Sequence, residues 1–292
     1  MAIRPDSVRV FAPAKINLFL HVVGQRSDGF HDLQSMVAFA DIGDEIFAER
    51  SDVNSLSIDG PFAEGLAAES DNLVLRAARA LSERLGVRGG ARFRLTKNLP
   101  VASGIGGGSA DAAAAMRALL ALYGEIETSD LISLAASLGS DIPVCMVSRT
   151  AMMEGRGERL SELPPLPRVP IVLVNPGISV STAEIFRALA TKNNPPVAAP
   201  PTFASIEELV RYLCTTRNDL EAPARAAAPV IGGVLEAISR EGAVFTRMSG
   251  SGATCFGLFE TAAQARKAAS SIAAANPNWW SREGAFISYP DR

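Results

Sequence analysis

The chain has 292 residues, 48% of them hydrophobic and 20% charged, a balance close to the globular average. Its 24 glycines and 18 prolines fall well short of a low-complexity or collagen-like composition, so disorder is excluded as the main state. A net charge of −3 with no strong Lys/Arg run excludes an electrostatic footprint for nucleic acid, and two histidines are too few for a His-rich metal site.

Cys145, Cys214 and Cys255 are too widely spaced for a disulfide framework or a zinc pattern. The opening MAIRPDSVRV lacks the apolar core of a signal peptide, and no stretch approaches the roughly 18 uncharged apolar residues of a membrane span. The expectation is a cytoplasmic protein of one large domain or two. Neither a membrane nor an obligate protein partner is indicated.

In chain order, Ser7–Ala12 and Ile16–Val23 read as short strands, followed by strands at Asp44–Glu49 and Ser55–Asp59. Asn72–Leu85 carries a helical stripe (Leu73, Ala77, Ala80, Leu81, Leu85), with Asp71 as N-cap and Gly86 just beyond its end. Ala91–Lys97 alternates as a strand, a long helix runs over Asp111–Tyr123 to Gly124, and Ser129 caps a further helix ending at Leu138. The proline-dense stretch Leu163–Pro170 is the natural boundary, which divides the chain into 1–163 and 164–292. Beyond it come a strand at Ile171–Asn175, a helix beginning near Thr182 and a loop at Asn193–Pro201. Helices follow over Ile206–Leu213, Asp219–Ala226 and Val230–Ser239, then strands at Ala243–Met248 and Thr254–Phe259, and a helix over Ala262–Ala275. Strands and helices do not alternate strictly, which favours an α+β protein in two lobes over a doubly wound parallel sheet.

Glycines cluster at one place: Pro100-Val-Ala-Ser-Gly104-Ile-Gly106-Gly107-Gly108-Ser109-Ala110-Asp111, between a strand and the long Ala-rich helix. Glycine permits positive φ and close backbone approach. The loop's N–H groups together with a helix N-terminus make a cradle for phosphate. The ordinary alternatives are a flexible loop, or close packing of helix on sheet. Two phosphate-loop signatures are excluded by spelling. Walker A requires a Gly-Lys pair, which the chain lacks, and the dinucleotide fingerprint requires Gly or Ala where Ser109 stands.

Pro-x-x-x-Gly-x-Gly-Gly-Gly-Ser-Ala resembles the phosphate loop of the GHMP kinases, the family of galacto-, homoserine, mevalonate and phosphomevalonate kinases. Two further motifs of that family stand in order around it: Ala12-Pro-Ala-Lys15-Ile-Asn17-Leu-Phe-Leu20, and Met248-Ser-Gly250-Ser-Gly252-Ala-Thr-Cys-Phe256. Ser27-Asp-Gly-Phe30-His31, Gly139-Ser-Asp141-Ile-Pro143 and Asn175-Pro-Gly-Ile-Ser-Val-Ser-Thr182-Ala-Glu-Ile-Phe186 narrow the match. They resemble the family's branch that phosphorylates cytidylyl-methylerythritol, in non-mevalonate isoprenoid synthesis. The resemblance implies two α+β lobes with the active site in the cleft between them, and ATP as phosphoryl donor. Mg²⁺ is expected on chemical grounds, with no ligand evident in the sequence.

By that resemblance Asp141 is the general base and Lys15 the cation that keeps it ionised and stabilises the attacking oxygen. They stand 126 positions apart, so only the family argument pairs them. Taken alone, Asp141 before Ile-Pro reads as a cap and Lys15 as a solvated strand residue. Asn17 shares a strand face with Lys15. Pro100, Gly104, Gly106, Gly107, Gly108, Ser109 and Ala110 would hold the nucleotide. Ser109 could also cap the helix, and Lys97 is either near the nucleotide or an exposed strand-end lysine. Phe30 and Phe186 would sandwich the cytosine, with His31 hydrogen-bonding its edge. Phe30 stands where the family often has Tyr, which keeps stacking and loses a hydroxyl. Thr182 contacts substrate or merely begins its helix, and Gly250 and Gly252 approach the substrate phosphates or form a tight hairpin. His21 reads as structural. The alternative functions are another GHMP kinase, acting on homoserine or mevalonate, and a non-catalytic nucleotide-binding protein on the same scaffold.

Overall fold

A computed structural model describes residues 4–27, 29–64, 66 and 72–288. Its contacts divide the chain into two compact units that interleave in sequence. The first comprises residues 1–14, 43–101 and 106–148, and the second 15–42, 102–105 and 149–292. Two long strands, β1 (Ser7–Gln25) and β2 (His31–Ser51), contribute to both units. Where the sequence suggests two short strands before Gln25, the chain forms one, because Pro13 is accommodated without ending it. Likewise β2 begins thirteen residues before the expected Asp44, because its first five residues, His31-Asp-Leu-Gln-Ser, are mostly polar and the apolar run Met36–Ala40 that follows shows no alternation.

In the first unit, β3 (Ser55–Asp59) lies parallel to β4 (Gly90–Thr96), and β4 pairs antiparallel with the second half of β2. A parallel pair needs a crossover, which here contains helix α1 (Leu73–Leu85). Asn72, whose side chain accepts from the Val74 N–H, caps α1, and Gly86 closes it with φ 65°. Asp71, expected as the cap, lies outside the described residues. The helix buries Val74, Ala77, Ala78, Leu81 and Ser82. Of the expected stripe Ala77 and Leu81 are buried, whereas Leu73, Ala80 and Leu85 are half-buried, so the buried face is rotated toward Val74 and Ala78. Helix α2 (Gly107–Tyr123) starts four residues earlier than expected, at the glycines themselves, and buries alanines that let its neighbours approach closely. Helix α3 (Thr128–Leu138) has Glu127, not Ser129, at its N-cap. The short α4 (Ile142–Val147), begun by Ile142-Pro143, has too few residues to show a period.

In the second unit, the first half of β2 pairs with β5 (Ala151–Gly155), which pairs with β6 (Arg159–Glu162). The stretch Leu163–Pro170 lies wholly inside this unit, connecting β6 to β7 (Pro170–Asn175). A separate antiparallel sheet has the order β10-β7-β9-β8, with β8 (Phe245–Met248), β9 (Cys255–Leu258) and β10 (Trp280–Ala285). Helices α5 (Thr182–Arg187), α6 (Ile206–Leu213), α7 (Glu221–Ala227), α8 (Val230–Arg240) and α9 (Ala262–Ala275) complete it. Val172, Val174, Ile231, Val234, Cys255, Phe259 and Ile272 belong to its core. Strand β10 escaped the sequence reading because Ser281-Arg-Glu-Gly carries no apolar alternation. The outcome is α+β: β2–β4, β2–β5, β5–β6, β7–β9, β7–β10 and β8–β9 pair antiparallel, and β3–β4 parallel.

Candidate active site

Within the first unit, the glycine loop becomes a helix start. Gly106 occupies the N-cap with φ 64°, a left-handed conformation that glycine adopts at little cost, and no side chain caps the helix. Ser109 is therefore a residue of the first turn rather than its cap. The Ala110 N–H is already bonded to the Gly106 carbonyl at 2.9 Å, so the donors left to the turn are those preceding it. Gly107 and Gly108 differ sharply. A Cβ on Gly107 would stand 3.1 Å from Lys97 Nζ, whereas one on Gly108 would meet nothing within 4 Å. Close packing therefore explains Gly107 and leaves Gly108 unexplained by the protein itself. Pro100 is buried at the approach to this loop.

Lys97 is not an exposed strand-end lysine. Its ammonium donates to Asp44 Oδ2 at 2.5 Å and to Asp111 Oδ2 at 2.7 Å, with all three side chains 4% exposed or less. Burial alone would lower its pKa, but the charges of Asp111 and then Asp44 outweigh that and the net shift is upward. Asp141 stands at the N-cap of α4, half-buried, yet its carboxylate makes no capping bond there. Capping α4 is thus not what its side chain does.

Within the second unit, Lys15 and Asn17 lie two apart on β1 and are 4% and 3% exposed, so Lys15 is no solvated strand lysine. The Lys15 N–H donates to the Ile105 carbonyl at 2.9 Å. Asn17 donates through Nδ2 to Ser35 Oγ at 2.7 Å, and its backbone N–H to Ser249 Oγ at 3.0 Å. Ser249 Oγ in turn donates to the Gly104 carbonyl at 2.9 Å. The late glycine turn joins β8 to β9, so the hairpin reading holds. It is also packed hard against residues 102–105. A Cβ on Gly104 would fall 2.5 Å from the Ser249 carbonyl, and one on Gly250 2.8 Å from the Gly104 carbonyl. Gly252, with φ 89°, has Met248 Sδ 2.7 Å from its would-be Cβ.

A polar residue missed in the sequence reading holds this turn. Asn218 Nδ2 donates to the Met248 and Gly250 carbonyls at 2.9 and 2.8 Å. The only trace of it in sequence is the polar pair Asn218-Asp219 ahead of an apolar helix. Thr182 is the first residue of α5 behind the Ser181 cap, and its hydroxyl also lies 2.7 Å from Ser251 Oγ, which ties α5 to the turn.

The aromatic group lies in the same unit. His31 and Phe186 stack on each other, with centroids 5.0 Å apart and planes at 24°. Phe30 is 49% exposed, with the Arg156 guanidinium 3.6 Å above its ring. His31 Nε2 is buried with no hydrogen-bond partner, and burial, followed by the Lys192 charge, holds the imidazole below its usual pKa. A neutral imidazole presents one donor and one acceptor, the combination a base edge needs. Asp28 of the motif lies outside the described residues. His21 accepts from the Arg217 N–H at 3.0 Å, and burial brings its pKa down to about 4, as a structural histidine requires.

Among the described residues, no group of three or more His, Cys, Asp or Glu is placed to hold a metal ion. Asp44 and Asp111 already share Lys97, so they do not fit a Mg²⁺ site, and no step is assigned to protein-bound metal. No helix among the described residues is long and apolar enough to cross a membrane.

Residues 72–149 match the family model "GHMP kinases N terminal domain", and residues 186–278 match "GHMP kinases C terminal". The 4-diphosphocytidyl-2-C-methyl-D-erythritol kinase of Ruegeria pomeroyi is 52% identical over 96% of this chain and 100% of its own length. Its counterpart in Parvibaculum lavamentivorans is 51% identical over 92% of this chain and 94% of its own. A crystal structure of 4-(cytidine 5'-diphospho)-2C-methyl-D-erythritol kinase, 34% identical, matches 97% of this chain and 100% of that one with a TM-score of 0.79. The homoserine kinase of Cytophaga hutchinsonii, at 20% identity and a TM-score of 0.72 over 99% of this chain and 96% of its own, shares the fold. The chain belongs to the GHMP kinase family and is an ATP-dependent kinase.

Proposed function

We infer that this protein transfers the γ-phosphoryl group of ATP to the 2-hydroxyl of 4-diphosphocytidyl-2-C-methyl-D-erythritol. Its relatives at about 50% identity, matched over nearly their whole length, bear that substrate's name. The observation that carries the substrate reading is the His31–Phe186 pair. A flat aromatic face beside a buried, unpartnered imidazole nitrogen suits a nucleobase, which homoserine and mevalonate lack. Phe186 and Phe30 stack on the cytosine and His31 bonds its edge; Arg156 now covers one face of Phe30, and stacking there displaces it or places the base on the other face.

In the reaction the 2-hydroxyl oxygen attacks the γ-phosphorus, the bond from that phosphorus to the β–γ bridging oxygen breaks, and ADP leaves. Asp141 accepts the hydroxyl proton, the role that the family resemblance of Gly139-Ser-Asp141-Ile-Pro143 implies. Lys15, a buried cation, stabilises charge on the attacking oxygen. Gly106, Gly107, Gly108 and Ser109 offer backbone N–H groups to the ATP phosphates at the start of α2, while Pro100, Gly104 and Ala110 shape the loop. Lys97 serves the nucleotide from behind the loop. Asn17, Thr182, Gly250 and Gly252 serve the substrate side. A Mg²⁺ ion bound to ATP would neutralise phosphate charge, and no residue of this chain is assigned to hold it. The sequence lobes 1–163 and 164–292 are retained as a proposal, supported by family matches that fall on either side of 163. The protein is placed in the cytoplasm, with ATP and one small-molecule substrate as partners and no obligate protein partner.

The test is a coupled ATP-consumption assay across cytidylyl-methylerythritol, mevalonate and homoserine. Turnover with the first alone is the expected result. Comparable turnover with either of the others would overturn the substrate reading.

A further inference from the structure

Lys97, Asp44 and Asp111 come from the end of β4, from β2 and from the fifth residue of α2, so three elements of the first unit converge on one ammonium. The two carboxylates are not equivalent. Asp44 Oδ1 accepts from the Asn98 and Leu99 N–H groups at 2.6 and 2.8 Å while its Oδ2 takes Lys97, so it is fully satisfied as an anion. Asp111 Oδ1 is buried and has no hydrogen-bond partner. One ammonium therefore faces two carboxylates away from water, an arrangement that favours a proton on Asp111, the carboxylate with an unpartnered oxygen. Burial pushes its carboxyl up to about 8; the charged groups acting on it are Lys97, which opposes the shift, and Asp44, which adds to it. The same ammonium stands 3.1 Å from where a Gly107 Cβ would be, directly behind the first turn of α2.

We propose that Lys97, Asp44 and Asp111 form a positioning triad for the nucleotide. The triad locks the first turn of α2 onto the end of β4, and the charge on Asp111 sets how strongly that turn attracts an anion. With Asp111 protonated the triad is neutral; with it ionised, a net negative charge lies behind N–H groups that must receive phosphate. The inference rests on the reading of Gly106–Ser109 as the nucleotide loop.

The experiment is the KM for ATP measured from pH 7.5 to 9.5, where the terminal phosphate of ATP is ionised throughout because such groups have a pKa of about 6. In the unmodified protein KM for ATP rises about four- to twelvefold across this window, part of the full span of a charge interaction at a helix terminus because Asp111 is already partly ionised at pH 7.5, while KM for the alcohol substrate stays level. Asp111→Asn keeps the shape and still accepts from Lys97. It removes the titrating group and abolishes the rise of KM for ATP with pH. A flat profile in the unmodified protein, or an undiminished rise in Asp111→Asn, overturns the proposal. Gly108→Ala separates this failure from that of the loop itself. If it leaves KM for ATP unchanged, the nucleotide-loop reading falls and the triad proposal with it. If it raises KM while the pH profile is flat, only the triad proposal falls.

Discussion

Gly108→Ala distinguishes a glycine demanded by the protein from one demanded by a ligand. Gly108 is exposed in the first turn of α2, has no positive φ, and a Cβ there would meet nothing within 4 Å. Alanine is the better helix former by about 1 kcal/mol in a helix interior, somewhat less this near the end, so the variant gains about 0.5–1 kcal/mol. In urea this appears as a higher midpoint with an unchanged slope, and in a thermal melt as a rise of about 1–2 °C for a chain of this length. If Gly106–Ser109 is the nucleotide loop, as proposed, the same methyl occupies the space through which phosphate oxygens would approach the turn. Losing one charge-assisted hydrogen bond, about 1.5–3 kcal/mol, raises KM for ATP about ten- to a hundredfold.

The prediction is thus a gain in stability with a loss of ATP affinity, an outcome that damaged folding cannot imitate. Gly104→Ala has the opposite character. With φ 77° and a would-be Cβ 2.5 Å from the Ser249 carbonyl, it costs stability outright, about 1–2 kcal/mol from the backbone conformation before any clash. A destabilised Gly108→Ala, or one whose KM for ATP moves less than twofold, refutes the reasoning.

Three further outcomes are expected. Asp141→Asn lowers turnover by about 10²–10⁴, the scale for removing a general base, with ATP binding retained; turnover within threefold of the unmodified protein removes Asp141 from that role. Phe186→Ala raises KM for the cytidylyl substrate about tenfold or more, since stacking on a base contributes about 1–3 kcal/mol, while KM for ATP stays near its original value; equal rises would make Phe186 a packing residue. Asn218→Ala leaves the Met248 and Gly250 carbonyls unpaired and costs about 1–3 kcal/mol in urea denaturation, and an unchanged midpoint would mean that water replaces the side chain.

The elements most legible in sequence are those with strong ends. Helix α9 matches its expected bounds because Thr261 and Gln264 form a reciprocal capping box, and α6 because Ser205 caps a clear apolar stripe. Helix α2 is legible in existence but not at its start, since Gly107 and Gly108 argue against helix by propensity and the turn forms by tertiary support. At the site, the motif residues are visible while their braces are not. Asp44 lies 53 positions from Lys97, and Ser249 lies 232 from Asn17. No local pattern encodes such pairings. Asp111 sits in the quoted glycine stretch, but as a helix residue near an N-terminus it has an adequate local explanation, and only the fold reveals that its carboxyl turns inward to Lys97.

A chain of net charge −3 proposed to bind two polyanions must draw them by something other than its total charge. Lys97 is neutralised by two carboxylates, and the Arg247 guanidinium is spent on the Leu18, Leu213 and Thr216 carbonyls and the Thr216 hydroxyl. These buried cations organise backbone rather than reach for ligand. Oriented N–H groups at the start of α2 carry partial charges that are fixed in direction, so they reward a phosphate in one place and little elsewhere. That arrangement has a structural requirement. A dipole-based site is only as good as the rigidity of the turn that aims it, and glycines supply access at the expense of rigidity. The ion cluster beneath Gly107 and the Asn218 clamp on the Gly250 turn answer the same need. In each, a buried polar side chain fixes a glycine-rich segment whose sequence alone would leave it loose.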